Sequence, residues 1–67
     1  MNLYRVYMSV SQLYKSGYTH RYTTNFMFMA DDEESAEKKA KKWFRETQLE
    51  PGFKYLLKVM EVRKVEQ

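Results

Sequence analysis

One histidine, His20, and no cysteine occur in the 67 residues of the chain. Nucleophilic catalysis and His- or thiolate-based metal centres need several such groups brought together. A triad or metal site would have to be assembled here around one imidazole, so the expectation is a protein that is not an enzyme and holds no cofactor. Disulfide frameworks and iron–sulfur clusters fall with the missing thiols. The acidic run Asp31-Asp32-Glu33-Glu34 lacks the interleaved ligands and turn glycine of a calcium loop, and is read instead as the capped start of a helix. Gly17 and Gly52 stand alone, so no glycine-rich loop cradles a phosphate.

Two groups could still bind a macromolecule. Lys38, Lys41, Lys42 and Arg45 form a basic helix face suited to phosphates, although Glu34 and Glu37 one turn earlier make favourable i,i+4 pairs with Lys38 and Lys41. Tyr22, Phe26 and Phe28 invite comparison with the base-stacking sheet of an RNA-recognition motif. The glycine–aromatic signature of that motif is missing, and the three rings read more simply as a core beneath Trp43.

The elements that position these groups follow from periodicity. Tyr4, Val6, Met8 and Val10 alternate with Arg5 and Ser9, predicting a first strand over about 3–10. The polar stretch Ser11 to His20, with Gly17, predicts a hairpin tip. Tyr22, Thr24, Phe26 and Phe28 mark a second strand over about 20–29. A helix over about 32–47 starts from Asp31 as cap with Glu34 three residues on, and its apolar stripe is Ala36, Ala40, Trp43, Phe44 and Thr47. Pro51-Gly52 turns the chain into a long third strand, about 53–64. There Phe53, Tyr55, Leu57 and Val59 are taken as the core row, and a bulge near Val59 can switch the phase.

The expected fold is α+β: one domain over 1–67 in the order β-β-α-β, a three-stranded antiparallel sheet of order 2-1-3 with the helix on one face. A helix about 10 Å across covers roughly two strands, which leaves the other face open. Arg5, Tyr7, Met27, Met29, Lys54, Leu56, Lys58 and Met60 fall on that face in this register. Met adapts to irregular surfaces and Tyr offers broad contact with a polar tip, a combination suited to recognising a protein or a second copy. Charge is uneven within a net +3: residues 1–30 carry Arg5, Lys15 and Arg21 and no acid, whereas 31–52 carry five basic and seven acidic groups. The longest apolar run, Phe26 to Ala30, is too short to span a membrane. The N-terminus lacks a secretory pattern, so a cytoplasmic, untargeted chain is expected.

The β-β-α-β order, Ala30 followed by Ala36, then Ala40, Trp43 and Pro51-Gly52-Phe53 before a basic last strand, resembles the T7-type phage inhibitors of bacterial RNA polymerase. That resemblance implies a small phage protein that docks on a host enzyme and blocks it. The family carries two arginines around a valine in its last strand, whereas Lys58 and Arg63 are the nearest basic positions here and are out of step with them. Tyr4-Arg5-Val6, the acidic helix start after Ala30 and the final Lys/Val strand are also similar to the LX family of archaeal ribosomal proteins, which implies binding to ribosomal RNA. The sequence thus leaves three expectations: a protein-binding inhibitor using Arg5, Tyr7, Met27, Met29, Lys54 and Lys58; an RNA binder using the basic helix face; and a homodimer formed through the open face or the third strand.

Overall fold

A computed structural model describes residues 1–65, so Glu66 and Gln67, the last two positions of the expected domain, lie outside the described residues. The chain folds as β1 (Asn2–Leu13), β2 (Thr19–Ala30), α1 (Glu33–Thr47) and β3 (Lys54–Lys64). The strands form one antiparallel sheet in the order β2-β1-β3, with β1 central. This is the α+β architecture that the alternation implies.

Both hairpin strands run further than the polar composition of Ser11 to His20 suggests. β1 and β2 pair without interruption from Asn2↔Ala30 to Leu13↔Thr19, and the turn shrinks to the residues between them. Tyr14 donates its N–H to the Tyr18 carbonyl at 2.9 Å, and its own carbonyl accepts from Gly17 at 3.0 Å. Gly17 has φ 90°, a left-handed conformation that costs a residue without Cβ little. Gln12, which made the stretch look like a loop, lies on the helix side and donates to the Tyr55 hydroxyl at 3.2 Å. A buried-side amide with a partner does not break a strand.

The cap of α1 lies one residue later than the acidic run indicates. Asp32, in extended conformation, is the N-cap, and its Oδ1 accepts from the Ser35 N–H at 2.7 Å. Ser35 therefore occupies the position expected for Glu34. These hydrogen bonds from Ser35 hold the Asp32 carboxyl below its ordinary pKa, because they favour its charged form.

The core sits between α1 and the even-numbered face of β1. Tyr4, Val6, Met8, Val10, Ala30, Ala36, Ala40 and Phe44 are buried. Ala36 and Ala40 let the helix backbone approach the sheet, and the large residues follow a turn later. Trp43 leans over β2, with its ring centroid 4.4 Å from Phe26 and 6.0 Å from Phe28. Phe44 leans toward β3, 6.2 Å from Tyr55. Thr47, expected in the apolar stripe, is exposed and donates its hydroxyl to the Trp43 carbonyl at 2.7 Å.

Phe53 precedes β3 rather than opening it, and its ring meets Tyr14 edge-on at 4.7 Å. The expected bulge is present. Met8 pairs with Val59 but Tyr7 pairs with Glu61, so Met60 is the additional residue. Beyond it the phase of β3 reverses: Val62 joins Tyr55, Leu57 and Val59 against the core, and Glu61 and Arg63 turn to the open face.

Candidate protein-binding face

The odd positions of β1 and β2 and the outward positions of β3 make a sheet face that no element of the described chain covers. Met27, Met29, Leu56 and Met60 are 50%, 45%, 62% and 59% exposed on it. Five basic side chains, Arg5, Arg21, Lys54, Lys58 and Arg63, share this face with one acid, Glu61.

At the end of the sheet where β1 begins and β3 finishes the side chains lock together. Arg5 donates from Nη1 to Asn25 Oδ1 at 2.6 Å and from Nη2 toward the Met27 sulfur at 3.5 Å, which draws it toward β2. Arg63 pairs through Nε with Glu61 at 2.8 Å, and its guanidinium carbon lies 5.8 Å from the centroid of the Tyr7 ring. Its hydrogen bond to Glu61, reinforced by the charge of that carboxylate, raises the Arg63 pKa further above its already high value. Tyr7 stands between these groups, half-buried, with Asn25 beside it on β2 and Glu61 on β3.

Further along β1 the side chains become small. Ser9 and Ser11 floor a shallow trough walled by Arg21 and Thr23 on β2 and by Leu56, Lys58 and Met60 on β3. Arg21 Nε approaches Ser11 Oγ at 3.4 Å. An open trough with an uncharged floor and cationic, apolar walls offers an acidic protein surface both charge and contact area.

The structure gathers most of the residues chosen from sequence. Arg5, Tyr7 and Met27 form one cluster, and Met29 lies beside it opposite Leu3. Lys58 sits opposite Ser9 in the trough. Lys54 is opposite Leu13, about 20 Å along the strand from Tyr7 at 3.3 Å per residue. Ser9, Ser11, Arg21, Thr23 and Asn25 were available from the same alternation. Glu61 and Arg63 were not, because their facing depends on where the bulge falls.

The basic helix face is partly neutralised. Lys38 pairs with Glu34 at 3.5 Å and Lys41 with Glu37 at 3.4 Å, whereas Lys42 and Arg45 are exposed and make no ion pair among the described residues. Lys39, outside the set chosen from sequence, extends from α1 and donates to the Met29 carbonyl at 2.6 Å. No helix among the described residues is long and apolar enough to cross a membrane. Compared with family models, with curated proteins and with solved structures, the chain matches none.

Proposed function

We propose that the protein is a small, non-enzymatic binding module whose uncovered sheet face docks on an acidic surface of another protein. The observation that carries this reading is the pairing of Arg5 directly opposite Arg63 in a face that also exposes Met27, Met29, Leu56 and Met60. Like charges facing each other across a ladder oppose folding, and an acidic partner relieves them. The apolar side chains supply the contact area and the cations steer the encounter. Tyr7, Met27, Met29 and Lys58 form the contact, with Arg5 and Lys54 orienting it. The resemblance to T7-type phage inhibitors supports a finer reading: a phage or mobile-element protein, acting in the host cytoplasm, that blocks a host enzyme by occupying its surface.

The test is capture from nuclease-treated bacterial lysate by the tagged chain and by its Tyr7→Ser/Met29→Ser variant. A stoichiometric protein held by the first and released by the second, with the variant still folded by circular dichroism, is the expected outcome. Retention by the variant overturns the proposal. A catch that disappears with nuclease moves the assignment to RNA and to Lys38, Lys41, Lys42 and Arg45, in which case affinity falls steeply with salt.

A further inference from the structure

Among the described residues both outer strands of the sheet have a free edge, but the two are not equivalent. β3 is defended in the ways natural edges are defended: a bulge at Met60 breaks its regularity, and Lys54, Lys58, Arg63 and Lys64 lie along it. Antiparallel pairing of β3 with its own copy about Val59 would also set Lys54 against Lys64. β2 has no bulge and a single basic side chain of this kind, Arg21. It keeps regular register with β1 over all 12 residues, contains no proline or lysine, and from Tyr22 to Ala30 carries no charged side chain.

The direction of its backbone groups follows from the hairpin. The Tyr14–Tyr18 hydrogen bond fixes the alternation, so the even positions of β2 exchange hydrogen bonds with β1. Thr19, Arg21, Thr23, Asn25, Met27 and Met29 therefore aim their N–H and C=O groups away from the sheet. The bond from Lys39 to the Met29 carbonyl agrees with this direction and closes one end of the edge.

We infer that the Thr19–Met27 edge pairs antiparallel with the same edge of a second copy, giving a two-fold dimer with a continuous six-stranded sheet. Centring the pairing on Thr23 is the longest arrangement that leaves the Met29 carbonyl with Lys39. In it, Tyr22 of one copy meets Thr24 of the other, Arg21 meets Asn25, and His20 meets Phe26, so no like charges oppose each other. Two copies of a chain with net charge +3 thus approach along a segment that is almost uncharged. An isologous contact needs one patch that complements itself, and this one does. The dimer is held by backbone groups of the β2 edge, whereas the docking proposed above uses side chains of the open face, so neither requires the other.

Sedimentation equilibrium of the full chain over a dilution series tests the inference, with Thr23→Pro, Thr23→Lys and Thr23→Ser alongside. Proline at 23 removes an outward N–H without removing a bond to β1, a position at which edge strands tolerate it. Lysine at 23 places two cations on the symmetry axis. The expected result is a reversible dimer that is retained by Thr23→Ser and lost in both other variants. If Thr23→Pro fails to fold by circular dichroism, Thr23→Lys decides. A wild-type chain that is monomeric at every concentration overturns the inference and leaves the edge to a strand of a different protein. A dimer that survives Thr23→Lys also overturns it, since association then uses another surface.

Discussion

Arg5 and Arg63 are direct partners across the β1–β3 ladder, yet their guanidinium groups turn apart, one to Asn25 and the other to Glu61 and the Tyr7 ring. Asn25 on β2 draws Arg5 to one side, and Glu61, on the same strand as Arg63, holds the other arginine. Arg5→Gln removes one of the two like charges while keeping an amide donor for Asn25. It is expected to raise the thermal midpoint at low ionic strength, and the gain should fade as salt screens the pair. A midpoint that falls, or a gain indifferent to salt, would show that the two arginines do not oppose folding.

The core depends on a few residues of very different size. Phe44 is 1% exposed and is the largest fully buried side chain. Phe44→Ala is expected to cost about 3–5 kcal/mol, enough to leave a domain this small largely unfolded at room temperature in urea titrations. Ala40→Leu works in the opposite sense by forcing α1 away from the sheet, at about 1–3 kcal/mol. A loss below these ranges for both variants would mean that the helix is not seated on Val6, Met8 and Val10 as described.

The pH response of the helix cap has a definite sign. Hydrogen bonds from Ser35 lower the pKa of Asp32 in the folded chain, so the unfolded chain binds its proton more readily. The stabilisation is complete above the ordinary aspartate value of about 3.9 and is lost as pH falls through the lowered one. Asp32→Asn keeps an acceptor for Ser35 but does not titrate. Its stability curve is expected to run flatter than that of the wild type on the acid side, and parallel curves would remove Asp32 as the cause.

Lys39 reaches from the helix to the last outward carbonyl of β2. Lys39→Met preserves length and helix propensity but releases that carbonyl. If the β2 edge pairs with its copy, the variant should associate more tightly than the wild type, because two more positions per strand become available. Weaker association in sedimentation would show that the lysine supports the dimer rather than limits it.

The order of elements, the faces of β1 and β2 and, apart from Phe53, the aromatic rings of the core were legible in the sequence. Alternation at Tyr4–Val10 and Tyr22–Phe28 is unambiguous, and the helix stripe at Ala36, Ala40 and Phe44 could not serve a strand. The ends of elements were less legible. Asp31 and Asp32 are equivalent as caps until Ser35 is placed, and Gln12 looks like a loop residue until the Tyr55 hydroxyl is beside it. The open face divides in the same way. Arg5, Tyr7 and the two methionines follow from parity alone, whereas Arg63 and Glu61 need the bulge at Met60, which a run of apolar residues on both faces of β3 leaves unfixed. Lys39 gave no signal, because a lysine in a cluster of lysines does not reveal which one reaches back to the sheet.

The placement of β1 between its neighbours also governs when the sheet can be completed. Val65 donates to the Leu3 carbonyl at 2.8 Å, and Tyr4 pairs with Lys64, so one side of the first strand waits for the last residues of β3. During synthesis the β1–β2 hairpin can zip as soon as it emerges, but until β3 arrives it is a ribbon with two bare edges. Contacts so distant in sequence slow folding, and the half-built sheet is then the species most exposed to pairing with the wrong strand. The same order makes β3 the lock: without it β1 keeps a bare edge, the core loses Tyr55, Leu57, Val59 and Val62, and the hairpin that is left is marginal in water.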